Sequence, residues 1–137
     1  MMKTIGLDHV VVVVDDMDDA RTKYVRVFGE EVVGEVLRAE GYLRCEVRLG
    51  AQRLELCQPV DAPEGADQAN HAFRTTLGTR GEGIHNFAVE VADVDAVLGE
   101  LRTAGVPLIE SRFSRSFFIH PKAMNGALIQ VLEAKRP

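Results

Sequence analysis

Two self-similar segments of the chain each place a polar side chain near the start of an apolar, strand-like run. His9 has this place in the run Leu7–Val14, and Asn86 has it in the run Ile84–Val91. Both runs lead into a helical pattern, so we predict that the two side chains hold equivalent positions in a repeated unit and face one cleft. An imidazole in such a place is either a ligand for a divalent metal or a buried hydrogen-bonding group.

Side-chain alternation sorts the second run into two faces. Asn86 and Glu90 lie on the face opposite the apolar side chains, and we therefore predict that both line the cleft. His85 falls on the other face by the same alternation. A bulge at the start of the strand would turn His85 inward and supply a second imidazole.

A predicted hairpin places two carboxylates opposite each other. Gly50 and Ala51 have the residue types of a two-residue turn, and in that register Glu46 faces Glu55. Opposed carboxylates repel each other unless a proton, a metal or a cation intervenes. The arginines of this hairpin that can supply the cation are Arg44, Arg48 and Arg53. We predict that Glu46 and Glu55 are the proton-transfer residues and that Arg44 lines the cleft beside them.

Polar residues also mark the last strand-like run and the turn before it. Gln130 lies among four aliphatic residues, where an amide either hydrogen-bonds a neighbouring strand or acts as a ligand. His120 and Lys122 lie in the turn that precedes this run. They are either a solvated loop or cations for a phosphate or carboxylate, and we predict the ligand-binding role.

The composition indicates an ordinary globular protein, with 46% hydrophobic and 27% charged residues among 137. A net charge of −5 argues against a nucleic-acid surface, which needs clustered Lys and Arg. No segment approaches the ~20 apolar residues of a membrane span, so we expect a cytoplasmic protein with a small-molecule substrate or ligand and no membrane partner. Cys45 and Cys57 are expected to be free thiols.

Periodicity predicts the element order βαβββ in each half of the chain. The predicted strands are residues 6–14, 31–39, 42–49, 53–58, 84–91, 106–110, 114–120 and 127–133. The predicted helices follow caps at Asp15 or Asp16 and at Asp93, with a further helix from Asp67 to about Leu77. We therefore predict an α+β fold in which two βαβββ modules form a curved mixed sheet around a concave cleft, with helices on the convex face.

The whole chain, residues 1–137, is expected to be a single domain. Module one covers about residues 5–59, a linker rich in Ala, Gly, Asp and Pro covers about 60–82, and module two covers about 83–134.

Several separated motifs resemble the vicinal oxygen chelate superfamily of glyoxalases, bleomycin-resistance proteins and dioxygenases. They are the strand Leu7–Val10, the segment Gly81–Asn86, and the ending formed by Phe118–Lys122 with Gly126–Gln130. Within this superfamily the nearest pattern is that of methylmalonyl-CoA epimerase, and the similarity extends over nearly the whole chain.

The resemblance implies a divalent metal ion, such as zinc, cobalt, manganese or nickel, held by one residue from each of four strands. The matching positions are His9, Glu55, Asn86 and Gln130. His9, Glu55 and Gln130 are the expected ligands, with Asn86 or water completing the shell. A metal-dependent epimerase of this family would show His at position 86 and a carboxylate at position 130. Both positions hold neutral amides here, and such a donor set binds metal more weakly.

Three hypotheses for function follow from the residues and the resemblance. The first is an isomerase or lyase of the epimerase or glyoxalase type that transfers a proton next to the carbonyl of a small metabolite, with acyl-CoA thioesters among the candidates. If Glu55 binds metal, Glu46 is the expected base. The second is a metal-free protein that sequesters a small molecule. The third is a metal-independent enzyme that uses Asn86 and Gln130 as oxyanion donors. The resemblance also implies a homodimer.

Overall fold

A computed structural model describes residues 2–61, 68–110 and 115–135. Its elements are, in chain order, β1 (Thr4–Val13), α1 (Met17–Phe28), β2 (Leu37–Ala39), β3 (Tyr42–Leu49), β4 (Gln52–Pro59), α2 (Gln68–Thr79), β5 (Gly83–Val91), α3 (Val94–Thr103), β6 (Leu108–Glu110), β7 (Ser116–Ile119), a 3-10 turn (Pro121–Ala123) and β8 (Ile129–Glu133). The predicted α+β class is confirmed. None of the helices in these ranges is long and apolar enough to cross a membrane.

The strands belong to one sheet with the order β2-β3-β4-β1-β5-β8-β7-β6. Each half has the predicted order βαβββ, and α2 lies between the halves in sequence. β5 pairs with β8 in parallel, whereas the β2–β3, β3–β4, β6–β7 and β7–β8 pairs are antiparallel.

Contacts divide the chain into two compact units. One unit is Val10–His85, and the other consists of the residues through His9 together with those from Asn86 onward. The division does not test the prediction of a single domain with a central linker, which stays a prediction.

In the unit Val10–His85, the β3–β4 hairpin has the predicted register. Glu46 lies opposite Glu55, and the turn between the strands is the predicted one. One face of the hairpin packs against α1 through a buried cluster that includes Met17 and Leu56. The polar residues lie on the other face because side chains alternate along a strand.

The helix α2 packs in a second cluster of the same unit. Phe73 is buried there with Cys57, and Ala69 and Leu77 are partly buried against them. The helix that was predicted to end near Leu77 ends at Thr79. The predicted start of the helix, Asp67, lies outside the described residues.

The second predicted strand is wrong over most of its length, because only Leu37–Ala39 forms a strand. Val33 makes an isolated bridge with Val47, whereas Leu37 pairs with Arg44. Between these two pairs lie three residues on this strand and two residues on β3. The extra residue is a β-bulge, which interrupts the ladder. The valines of this segment pack against the cluster under α1, so their β-branched types reflect burial more than strand pairing.

The other unit packs α3 against β7 and β8 through a core that includes Val94, Phe117 and Val131. Here β6 begins later than predicted, because Pro107 has no N–H for the ladder and its carbonyl instead accepts from the N–H of His120. β7 was predicted from Ser114, which lies outside the described residues.

β8 is also shorter than predicted, since the turn before it is longer. Asn125 and Gly126 have φ angles of 54° and 94°, and the N–H of Ala127 donates to the carbonyl of Met124. The ladder therefore begins only at Ile129.

An aspartate caps the first turn of the helix in each βαβββ half, as predicted. Oδ1 of Asp16 accepts from the N–H of Asp19 at 3.1 Å, and Oδ1 of Asp93 accepts from the N–H of Ala96 at 3.0 Å. These bonds satisfy donors that an α-helix leaves open at its first turn. Gly29 follows α1 with a φ of 94°, which glycine adopts without strain.

Candidate active site

The β3–β4 hairpin brings the two predicted proton-transfer residues together. Glu46 and Glu55 are directly opposed, and opposed residues of antiparallel strands point to the same face. Glu55 is only 8% exposed, whereas the side chain of Glu46 is 40% exposed. One buried and one half-exposed carboxylate therefore share this face.

Two guanidinium groups balance the two carboxylates. Nη1 of Arg44 lies 3.6 Å from Oε1 of Glu46 and 4.0 Å from Oε1 of Glu55. Nε of Arg53 lies 3.4 Å from Oε1 of Glu46. Arg48, the third arginine of the hairpin, instead donates to a backbone carbonyl of the α1–β2 loop. Within the described chain Glu46 thus has two cationic neighbours, and Glu55 has one.

Cys57 is a neighbour of Glu55 that the sequence analysis did not assign to the site. Its Sγ lies 3.9 Å from Oε1 of Glu55, and the residue is 1% exposed. Burial raises the pKa of the Cys57 thiol, and the Glu55 carboxylate raises it further. The thiol therefore stays protonated and can donate a weak hydrogen bond to the carboxylate. The spacing of two residues along β4, which puts both on one face, was the signal available in the sequence.

In the other unit, Asn86 and Gln130 share a face of the parallel β5–β8 pair. Ala88 is the partner of Gln130, and Asn86 and Glu90 lie on the same side of β5 as Ala88. Asn86 is 4% exposed. Nε2 of Gln130 donates to Oγ of Ser116 at 3.2 Å. Of the two roles predicted for this amide, the structure therefore shows the hydrogen bond to a neighbouring strand. Ser116 was not predicted, because only the pairing of β7 with β8 brings it near.

His9 belongs to this second unit and is 7% exposed. Its Nδ1 lies 2.7 Å from Oδ2 of Asp8. A carboxylate on one ring nitrogen fixes the orientation of an imidazole. His9 is thus buried and oriented, and its functional role stays a prediction.

His85 packs against α2 in the unit Val10–His85. Its ring meets Phe73 edge to face, with centroids 5.1 Å apart, and the residue is 7% exposed. Phe73 also packs with Cys57, which follows Glu55 on the same face of β4. His85 thus packs in the α2 cluster, and a role of its imidazole as a ligand stays a prediction.

His120 caps the 3-10 turn before β8, and Lys122 lies within this turn. Nδ1 of His120 accepts from the backbone N–H of Lys122 at 3.1 Å, so the neutral imidazole carries its proton on Nε2. The ligand-binding role of both residues stays a prediction.

The donor chemistry does not fit a tight site for a divalent transition metal. In the described ranges, no group of three or more His, Cys, Asp or Glu side chains is placed to hold a metal ion. Of the four implied ligands, only Glu55 is anionic and only His9 is an imidazole. Glu55 also has the guanidinium of Arg44 at 4.0 Å, and this charge opposes the binding of a second cation.

A pocket of about 310 Å³ lies beside α3 and β7, and Ser116, the hydrogen-bond partner of Gln130, is among the residues that line it. Leu98 and Phe117 contribute apolar walls, and Arg102 and Arg115 lie at it. Each arginine is paired with a carboxylate, so neither charge is left for a ligand. None of the predicted site residues lines this pocket.

Comparison with known proteins defines the class. The model of the Glyoxalase/Bleomycin resistance protein/Dioxygenase superfamily matches residues 8–118, and the chain belongs to this superfamily. It is similar to the ethylmalonyl-CoA/methylmalonyl-CoA epimerase of Cereibacter sphaeroides, which is 29% identical, with 91% of this chain and 95% of the relative aligned.

The chain is also similar to solved structures of methylmalonyl-CoA epimerases. The crystal structure of methylmalonyl-CoA epimerase from Mycobacterium tuberculosis has a TM-score of 0.77 and 29% identity, covering 99% of this chain and 92% of the other. A methylmalonyl-CoA epimerase in complex with methylmalonyl-CoA and NH4+ has a TM-score of 0.75 and 27% identity, covering 96% of each chain.

Proposed function

We propose that this protein is an epimerase that transfers a proton at the α-carbon of an acyl-CoA thioester. The observation that carries the proposal is the buried carboxylate of Glu55, opposed to Glu46 and flanked by the guanidinium of Arg44. A carboxylate that is withdrawn from water and held by a specific charge is a typical general base. The relatives support the substrate class, since they are epimerases of methylmalonyl-CoA and ethylmalonyl-CoA.

Inversion requires that a proton leaves one face of the α-carbon and returns to the other. The carboxylate of Glu55 takes the α-proton, the electrons of the C–H bond form the carbon–carbon double bond, and the carbonyl oxygen becomes an enolate. The carboxyl form of Glu46 then gives a proton to the opposite face. Glu46 suits this role because its side chain is 40% exposed, so solvent reaches it.

The proposal assigns no step to a metal ion. Zinc, cobalt, manganese and nickel are the candidates that the family resemblance implies, but two of the four ligand positions hold the amides Asn86 and Gln130. The metal content of the protein is measured independently of the exchange rate.

Incubation of the protein with methylmalonyl-CoA and ethylmalonyl-CoA in heavy water tests the function. We expect deuterium at the α-carbon of at least one thioester, at a rate proportional to the protein concentration and above the protein-free control. Recovery of a tightly bound thioester without deuterium would support sequestration and contradict the proposal.

We also propose that the protein is a homodimer in the cytoplasm. Ile5 and Leu7 on β1 are 62% and 40% exposed, and exposed apolar side chains on a strand are typical of an interface. Analytical ultracentrifugation should give twice the monomer mass of 15.1 kDa. A species of 15.1 kDa at micromolar concentration would contradict the dimer.

A further inference from the structure

We infer that Arg44 is a catalytic residue, whose guanidinium binds the carbonyl oxygen of the substrate as that oxygen becomes an enolate. The inference rests on the proposed function. It assigns to a side chain of this chain the positive charge that a proton abstraction next to a carbonyl requires.

The position of Arg44 is the first argument. It lies on β3 on the face that carries Glu55, and its Nη1 is 4.0 Å from Oε1 of that residue. In a thioester the carbonyl oxygen is two bonds from the α-carbon. A substrate whose α-proton points at Glu55 therefore presents its carbonyl oxygen to a neighbouring group, and Arg44 is the cation beside Glu55 in the described chain.

The unused hydrogen-bond capacity of Arg44 is the second argument. Its two contacts with carboxylates, at 3.6 and 4.0 Å, are longer than hydrogen bonds. Within the described residues no donor of its guanidinium makes a hydrogen bond, although the group has five N–H donors in a planar fork. Its side chain is 36% exposed, so a ligand can reach it.

The neighbours of Arg44 allow it to turn toward a substrate. Glu46 keeps a second cation, because Nε of Arg53 lies 3.4 Å from its Oε1. Glu55 keeps the weak hydrogen bond from the thiol of Cys57 at 3.9 Å. Movement of Arg44 onto a carbonyl oxygen therefore leaves neither carboxylate without a favourable neighbour.

The charge balance of the step is complete with these groups. Glu55 gains the α-proton and loses its negative charge, while the carbonyl oxygen gains that charge and accepts N–H donors of Arg44. One anion thus replaces another beside the same guanidinium. Because the guanidinium already lies beside the buried Glu55, the turn of its side chain toward the enolate oxygen is the reorganisation that the step requires.

Arg44→Gln and Arg44→Lys test the inference in the deuterium-exchange assay, with Arg38→Gln as the matched control. Arg38 is an exposed arginine on the neighbouring strand β2, opposite Leu43. We expect Arg44→Gln to lower kcat by about 10²- to 10³-fold, the usual cost of losing a donor to a developing oxyanion. KM should change much less, Arg44→Lys should be intermediate, and Arg38→Gln should match the wild type.

Two further readouts separate catalysis from a structural role. Added guanidinium ion should restore part of the kcat of Arg44→Gln. A nitronate analogue of the acyl thioester carries an enolate-like charge. The substitution Arg44→Gln should therefore lower the affinity of the protein for this analogue more than its affinity for propionyl-CoA. Circular dichroism checks that the variants are folded. Arg44→Lys, which keeps the charge, serves if Arg44→Gln does not fold.

The possible outcomes keep this inference distinct from the proposed function. Wild-type exchange with an Arg44→Gln variant within a few-fold of the wild type overturns the role of Arg44 and leaves the epimerase proposal intact. Exchange that is abolished by chelator and restored by a divalent metal also overturns it, because the metal then supplies the charge. No exchange by the wild type overturns both proposals.

Discussion

Glu46 and Glu55 show how two identical side chains at opposed positions acquire different environments. Glu55 is withdrawn from water beside one guanidinium, whereas Glu46 is half exposed between two. The sequence predicts that they are opposed, because a two-residue turn determines register. It does not predict which of them is deeper, since depth depends on what packs over each strand.

Glu46→Gln tests the proposal that Glu55 removes the α-proton and Glu46 returns a proton to the opposite face. With Glu55 intact, we expect the variant to incorporate deuterium into one epimer while interconversion of the epimers falls by about 10²-fold or more, the range for loss of a general acid. Chiral analysis of the recovered thioester together with NMR measures both rates. The two-carboxylate mechanism fails if Glu46→Gln inverts the α-carbon as fast as the wild type.

The buried thiol of Cys57 predicts a pH-dependent stability. Burial raises its pKa in the folded protein, whereas in the unfolded chain the thiol loses its proton near pH ~8.5. Above that pH the unfolded state binds fewer protons, so the free energy of unfolding falls as pH rises, by at most about 1.4 kcal/mol per pH unit for this thiol.

Urea unfolding between pH 8 and 10.5 measures this effect, with Cys57→Ala as the comparison. The variant should show a shallower decline than the wild type. Identical slopes would mean that the thiol titrates alike in the folded and unfolded chain. Thiol reagents should also label Cys57 slowly in native protein and rapidly in denaturant, because a buried protonated thiol is a poor nucleophile.

The elements that could be predicted are those whose signals are local. Capping aspartates begin α1 and α3, and the turn at Gly50 sets the β3–β4 hairpin. β2 was mispredicted because the valines between Glu31 and Val36 suggest a strand, yet a bulge interrupts the pairing with β3. A bulge depends on the partner strand and leaves no local signal in its own residues.

Asp16→Ala tests the contribution of a cap at the scale of one helix. The variant loses the hydrogen bond to the N–H of Asp19, so the free energy of unfolding should fall by about 1 kcal/mol. Asp16→Ser, which keeps a capping oxygen, should recover most of this loss in urea unfolding. Equal stability of Asp16→Ala and the wild type would show that the cap contributes nothing.

At the scale of the whole molecule, the repeat and the motifs were sufficient to predict the superfamily, which the comparison confirms over residues 8–118. The candidate site was predictable only in part. The hairpin register placed Glu46 with Glu55, but the contact of Ser116 with Gln130 arises from the pairing of β7 with β8. Asn86 and Gln130 are amides at positions where the family resemblance implies a histidine and a carboxylate, and membership of a superfamily does not by itself determine the chemistry of a site.

We predict that the protein as purified contains almost no divalent transition metal. Protein purified without chelators or affinity metal should contain less than about a tenth of an equivalent of zinc, cobalt, manganese or nickel, since one carboxylate and one imidazole with two amides bind such ions weakly. Addition of these ions should not raise the Tm, because a ligand stabilises a protein only when it binds the folded state. A stoichiometric metal that survives dialysis would contradict this part of the account.

The most direct test of the central claim is the rate of solvent deuterium incorporation into the one epimer of methylmalonyl-CoA that Glu46→Gln still labels, measured for the wild type, Glu55→Gln and Glu40→Gln. Glu40 is an exposed glutamate between β2 and β3 and serves as a control of equal charge change. If Glu55 is the base, Glu55→Gln should lose about 10²- to 10⁴-fold of the rate, whereas Glu40→Gln should keep it. A Glu55→Gln variant that exchanges as fast as the wild type would contradict the account.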